Sequence, residues 1–391
     1  MNTTVLSGTC TGSPEQVSNA ILARFRDAHF TPQALLLFAS TRCPLEQLVV
    51  LLERALPDCK LVAASSAGEF TERSECSGCV AFFALAGELL LSSGWATQIS
   101  ADPVAAVSSA VASLPPLSLT HPHRTVLVFF DTFSGQGEET ALLLSAMLGE
   151  NVVLAGAAAA DERMQRSVVA AGANCASDAL ALLCIDARTP VGIGVAHGHT
   201  PMSAPLRVTK AAGNQVYSIE GRPAWRVWVE HTRQAALANG TDPLLLDSPE
   251  SFMQYLVLYE AGLSLGREYK VRAPLRRDAD DSLSFACGIP EGAIIRIMQS
   301  SAEAQLESAR KAALLAKERV GAPIAGALAF DCVCRKLILK DDFIHAVRAI
   351  SDVIQAPLAG FETFGEVALS VGEMSGFHNT TTVVVAFPES T

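Results

Sequence analysis

The chain lacks any apolar run near the roughly 18 residues of a membrane span. Its opening residues, MNTTVLSGTC, carry no basic stretch followed by an apolar one, so neither a signal peptide nor a membrane segment is expected. Aromatics make up only 6% of the sequence and charged residues 18%. There is no basic excess: 40 acids against 29 Lys and Arg give a net charge of −11. An acidic chain with scattered cations does not suit nucleic acid. HExxH, G-x-S-x-G and GxxxxGK[ST] are all absent. Gly192-x-Gly194 lies in a strand pattern and lacks the third glycine of a dinucleotide fingerprint.

What remains is apolar and small. Half of the 391 residues are hydrophobic, mean hydropathy is +0.30, and Ala, Val and Leu dominate. That supports a sizeable core and about two domains. Ten cysteines show no framework spacing, so they read as reduced thiols of a cytoplasmic protein.

The strongest physical signal is a repeat. A buried strand, an amphipathic helix and a second strand occur at Ala34–Glu69, Thr125–Glu162 and Ala325–Glu366. In each, the second strand starts at a leucine and an acid follows eight residues later: Glu69, Glu162, Glu366. Continuous apolar strands joined by helices predict parallel βαβ units. The expected fold is α/β: two domains of repeated βαβ units plus antiparallel strands, in mixed sheets flanked by helices.

Val191–Trp225 reads as the hinge between halves, which places the domains at 1–222 and 223–391. Ser13 is positioned to cap a helix over Pro14–Ala28. Glu88–Trp95 is expected to form a hairpin with Val80–Ala84, and Val168–Ala171 with Ala179–Ile185. Met253–Tyr259 reads as a strand.

In open α/β sheets ligands sit beyond the carboxyl ends of the strands. Those ends carry Ser65, Ser66, Gly68 and Glu69, then Asp161, then Glu366. Small residues allow close backbone approach, and acids supply orienting charge. An amino acid would place its ammonium on Glu69, Asp161 and Glu366, and its carboxylate on loop N–H groups or Arg335. The ordinary alternative is that these residues serve tight strand-to-helix turns. His197, His199 and His378, next to Gly198 and Asn379, lie in turns and are candidate metal or haem ligands. The ordinary role of each is a hydrogen-bonded structural histidine. Cys76 and Cys79 have the spacing of a redox pair or half a metal site, although two unrelated thiols are the commoner meaning. A weaker reading is a hydrolase with Ser65 or Cys332 as nucleophile.

SSAGEF (Ser65–Phe70), GAAAADE (Gly156–Glu162), GVAHGHTP (Gly194–Pro201) and RVTKAAGNQVYSIEGRPA (Arg207–Ala224) resemble segments of the FIST family. So do AFDCVCR (Ala329–Arg335), GFETFGEV (Gly360–Val367) and FHNTTTVV (Phe377–Val384). The resemblance spans nearly the whole chain as an N-terminal and a C-terminal FIST domain. It implies a bacterial sensory protein in signal transduction and not an enzyme. Stand-alone members of this size look like nitric-oxide-sensing haem proteins that regulate a partner histidine kinase or a cyclic-di-GMP enzyme. The resemblance thus implies haem as cofactor, and the turn histidines His197, His199 and His378 are the candidate axial ligands. The candidate ligand pocket read from the residues comprises Ser65, Ser66, Gly68, Glu69, Asp161, His197, Arg335, Glu366 and Asn379. The alternative is a non-haem sensor of an amino acid or similar polar molecule. No nucleic acid or membrane partner is expected, and a homodimer is left open. Two positions depart from the family: His199 stands where an aromatic is frequent, and Ser66 where a threonine is.

Overall fold

The computed structural model describes residues 2–265, 268–369 and 376–389. The first unit runs β1 (Thr4–Cys10), α1 (Pro14–Asp27), β2 (Ala34–Ser40), α2 (Leu45–Ala55), β3 (Lys60–Ser66), β4 (Glu69–Thr71), β5 (Glu75–Cys76) and β6 (Val80–Ala86). The second runs β7 (Leu90–Thr97), α3 (Pro103–Ala112), β8 (His123–Asp131), α4 (Gly137–Leu148), β9 (Val152–Ala159), β10 (Val169–Ala171), β11 (Asn174–Ala176) and β12 (Ala179–Ala187). The third begins with β13 (Gly192–Ala196).

A module then interrupts it: β14 (His199–Pro201), β15 (Leu206–Ala212), β16 (Gln215–Ile219), β17 (Arg222–Pro223), α5 (Ala224–Ala238), α6 (Pro249–Leu256), β18 (Tyr259–Leu265), β19 (Glu268–Arg272), β20 (Pro274–Arg277), β21 (Leu283–Phe285) and β22 (Ile294–Ser300). The third unit resumes with α7 (Ala302–Val320), β23 (Ile324–Cys332), α8 (Val333–Leu339), α9 (Phe343–Ile354), β24 (Leu358–Thr363), β25 (Glu366–Leu369), β26 (Phe377–His378) and β27 (Thr382–Pro388).

The mixed α/β architecture with helix-flanked sheets is as expected. The three βαβ pairs β2/β3, β8/β9 and β23/β24 are parallel, and the other pairings are antiparallel. The repeat is longer than its sequence signal. Each unit orders its sheet first, last, second, third strand: β1-β6-β2-β3, β7-β12-β8-β9 and β13-β27-β23-β24. Each sheet is then completed by a hairpin from another unit. β10-β11 of the second joins β3, β4-β5 of the first joins β24, and β25-β26 of the third joins β9. The exchange is cyclic and closes a three-unit ring.

Burial explains the ring. Every residue of β2 is buried, and alternate side chains face opposite ways. Leu35 and Leu37 pack outward on α1 and α2, while Leu36 and Phe38 point to a core shared by all three sheets. Phe38, Phe129 and Phe330 occupy equivalent positions two residues before the strand ends. Their rings form a triangle with centroids 5.7, 6.0 and 5.6 Å apart. Helices α3 and α4 cover the second sheet, and α7 and α9 the third. Gly192 and Gly194 seat α7: a Cβ on them would lie 2.1 Å from Ala316 O and 1.8 Å from Ala312 O.

Several expectations change. The two expected hairpins do not form. β6 pairs with β1 and β2, β7 with β12, and β10 turns at Asn174 to pair with β11. Each closing strand ends its own sheet, and the next strand opens another. Met253 to Leu256 is helical, because Ser248 and Ser251 form a capping box with Pro249 in the first turn. The residues on either side of 222/223 share one core, in which Val208, Val216 and Ile219 pack against Trp225 and Trp228. Val191–Trp225 is therefore not a hinge: β13 belongs to the ring and the rest to the module. No helix among the described residues is long and apolar enough to cross a membrane.

Candidate functional site

The strand ends expected to hold a ligand are tied to one another. Ala160 N–H donates to Ser65 O at 2.9 Å, joining second and first units. Glu362 N–H donates to Gly68 O at 2.8 Å, and Ala158 N–H to Gly365 O at 2.8 Å. The acids act as locks within this ring. Glu69 accepts from Ser66 O–H and Cys79 N–H. Glu366 accepts from Thr363 O–H and from the N–H and O–H of Thr381. Burial pushes both carboxyls up to about 8. Asp161 accepts from the N–H groups of Arg163, Gln165 and Arg166 at 3.1, 2.9 and 3.1 Å. Against the burial that opposes them, these bonds hold its carboxyl below the ordinary value.

Ser65 donates to Ala160 O at 2.8 Å and accepts Val168 N–H at 3.0 Å. Ser65 and Asp161 do border a cavity of about 240 Å³ beyond β2. Gly68 is needed for close packing, because a Cβ there would lie 2.6 Å from the Glu362 carboxylate. Arg335 is fully buried and bonds Asp331, Gln305 and Ser308. These groups are committed to protein partners, in the structural role of strand-end turns.

The residues from the carboxyl half do converge, on the seam between module and ring. His197 Nε2 faces Tyr269 O at 3.0 Å, and its Nδ1 accepts His199 N–H at 3.2 Å. His199 Nε2 faces Val257 O at 3.3 Å, its Nδ1 lies 3.5 Å from Gln305 Nε2, and Glu260 Oε2 is 3.8 Å from Nε2. His378 Nε2 faces Ala368 O at 3.3 Å. Burial pushes His199 and His378 down to about 3, so both rings are neutral. Asn379 donates to His378 O, and Thr380 to the buried Glu260.

An axial ligand needs an imidazole nitrogen with a free lone pair facing open space. Both nitrogens of His197, and both of His199, face protein groups. None of the three histidines lines the cavity at this seam. His197 and His199 as placed do not fit haem, whereas His378 has one ring nitrogen engaged, with Ala368 O.

That cavity has a volume of about 450 Å³, within the range of small-ligand pockets. Its wall comes from the Thr132–Gly137 turn after β8, Phe364 after β24, and Gly213, Asn214, Cys287 and Gly288 of the module. Glu138, in the first turn of α4, lines it and accepts from Lys270 and Arg272 of β19. Both cations are almost fully buried, and Arg272 Nε has no hydrogen-bond partner among the described residues. Burial, then the neighbouring Arg272, pulls the Lys270 ammonium below its ordinary value. Glu138, Glu260, Lys270, Arg272 and Cys287 escaped the sequence reading. The available signal was the alternation Lys270-Val271-Arg272, which puts two cations on one face of a strand.

Cys332 does not suit a nucleophile: its hydrogen bond with Cys334 and its burial push the thiol well up. Among the described residues, ligand atoms of Glu69, Cys76 and Cys79 lie within 4.8 Å of one another. The two sulfurs are bonded to each other, so they are not the unrelated reduced thiols expected.

The chain matches the family models for the FIST N domain over residues 33–222 and the FIST C domain over 224–369. No curated protein matches it. Among solved structures it is similar to the crystal structure of cyanuric acid hydrolase from A. caulinodans. The identity is 8%, each chain is covered to 99%, and the TM-score is 0.35, too low to establish a common fold.

Proposed function

We propose a function from one premise: the chain belongs to the FIST family, whose domains are sensory modules that bind small ligands in signal transduction. The ligand in this reading is a small polar molecule of the amino-acid class, bound in the 450 Å³ cavity at the seam. The observation that carries it is Glu138, which lines the cavity and is held there by the buried cations Lys270 and Arg272, so that both signs of charge lie at or just behind the wall. A ligand carboxylate would compete with Glu138 for the two cations, while Glu138 would take the ammonium.

The same group ties α4 of the ring to β19 of the module. Binding there biases how the two sit together, by as much as the ligand's affinity differs between the two arrangements. A separate signalling partner, a histidine kinase or a cyclic-di-GMP enzyme, would read that change. Haem and NO would require His197 or His199 to turn out of its present hydrogen bonds, or His378 to reach the haem from outside the cavity lining, which places that reading second.

The test is a thermal-shift and calorimetric screen of amino acids against the full chain, Glu138→Gln and Lys270→Met. Saturable binding to the wild type that both variants lose supports the proposal. Binding that survives both substitutions, or none across the panel, refutes it. A stoichiometric Soret band that shifts with NO and disappears in His378→Ala would move the reading to a gas sensor.

A further inference from the structure

The acid junctions of the first and third units are built alike, and their difference is informative. Glu366 accepts the N–H and the O–H of Thr381, three residues after His378, its partner across the hairpin. Glu69 accepts the N–H of Cys79, three residues after Cys76, its partner across the hairpin. Cys76 and Cys79 thus stand where the third unit has histidine and threonine. The third unit forms the junction without sulfur, so the junction does not require a disulfide.

In the first unit the two sulfurs are bonded and lie within 4.8 Å of a Glu69 oxygen. Cys79 and Glu69 are buried, whereas Cys76 is partly exposed. The hydroxyl that Thr381 donates to Glu366 marks the contact a reduced Cys79 thiol would make with Glu69.

We propose that Cys76 and Cys79 form a reversible dithiol–disulfide site, opened by a small thiol or dithiol, with Glu69 as proton partner of the buried sulfur. An incoming thiolate attacks the accessible Cys76 Sγ. The new bond is a mixed disulfide, and the Cys76–Cys79 bond breaks with its electron pair on Cys79 Sγ. That sulfur takes the proton held by Glu69, and solvent reprotonates the acid. A second thiolate attacks the outer sulfur of the mixed disulfide and releases Cys76. The net change is one protein disulfide and two thiols to two cysteines and one small disulfide. Burial favours the protonated acid, as do the nearby Glu162 and Glu362. Reduction would loosen the β4-β5 hairpin, which completes the third unit's sheet through β24. The site therefore reports on redox state to the ring.

The test equilibrates the full-length protein in a series of reduced and oxidised dithiothreitol ratios, traps it by alkylation, and quantifies the peptide carrying both cysteines by mass. The proposal expects two thiols that appear and vanish reversibly while circular dichroism stays native. Cys76→Ser should abolish the couple and keep the fold. Glu69→Gln should slow reduction at neutral pH by about 10-fold or more, whereas Glu366→Gln, in the equivalent junction, should leave it unchanged. Glu69→Asp keeps an acid at shorter reach and should slow reduction less than Glu69→Gln, which separates loss of the proton from loss of the fold. A disulfide that opens only when the chain unfolds would overturn the proposal. So would one equivalent of zinc held by the reduced protein, or equal slowing in both Gln variants.

Discussion

Replacing Glu366 by glutamine should change how stability depends on pH. The side chain is fully buried and bonded to Thr363 and Thr381. Burial raises its carboxyl from 4.5 to about 8. The folded chain therefore holds this proton more tightly than the unfolded chain. The resulting stability is fully present below about pH 4.5 and is lost as pH rises through about 8. Between pH 6 and 8 the group should remove about 2 kcal/mol, from up to 1.36 kcal/mol per pH unit. A glutamine side chain has the same shape. Its carbonyl can accept from Thr381 while its amide donates to the Thr363 oxygen, and it does not titrate. Glu69 at about 8 and Glu362 at about 7 give the wild type further slopes of the same sign. The informative quantity is thus the difference between wild type and variant. His199 and His378, lowered to about 3, have the opposite sign: their contribution is present above 6.5 and lost toward 3, and the part that falls within the window is common to wild type and variant and cancels in the difference. Urea denaturation at pH 6, 7 and 8 measures the effect. The gap between wild type and Glu366→Gln should move in the variant's favour by about 2 kcal/mol across that range. Parallel curves would refute the reasoning, because they would mean the carboxyl is already ionised in the folded chain at pH 6.

Phe38→Ala should cost about 3–5 kcal/mol, because its ring meets Phe129, Phe330 and Phe361. Hydrogen exchange should rise together in β2, β8 and β23; a rise confined to the first unit would refute a shared core. Gly194→Ala should lose more than the 1–3 kcal/mol usual for overpacking, since its Cβ meets a helix carbonyl at 1.8 Å. Gly292→Ala meets nothing within 4 Å and pays only for its φ of +84°, so its melting temperature should fall far less. Glu138→Gln should destabilise by about 2–4 kcal/mol, because it leaves two buried cations facing each other. Denaturation at rising pH should recover part of that loss as Lys270 gives up its proton.

The strand–helix–strand core was legible because its strands are continuous apolar runs, ALLLFAS and TVLVFFD, bounded by small residues. The leucine-to-acid spacing also marked real junctions, since Glu69 and Glu366 do lock strand ends. The hairpins β4-β5, β10-β11 and β25-β26 were not legible. Each strand has two to four residues, too few for a period, and its partner lies in a unit far away in sequence. The third unit also hid its full length, because the module separates β13 from α7. That interruption made Val191–Trp225 look like a hinge, although β13 pairs in the ring and the strands after it pack around Trp225 and Trp228. Met253–Tyr259 looked like a strand from composition, although Ser248-Pro249 just before it carried the helix-start signal.

The exchange of hairpins also explains where ligand space remains. An open α/β sheet leaves its strand ends free, and loop N–H groups there can meet a ligand. In this ring the ends of β3, β9 and β24 bond one another across units, so those N–H groups are already used. Ser65, Gly68, Glu69 and Glu366 have the composition of a binding loop and the hydrogen bonds of a joint. The module adds contacts of a different kind. It lays β19 beside the first turn of α4, where Lys270 and Arg272 meet Glu138 next to the 450 Å³ cavity. In the proposed reading, sensing falls to the element that breaks the threefold repeat, because the contacts the module adds to the ring, Glu138 with Lys270 and Arg272 among them, can change without opening the joints between units.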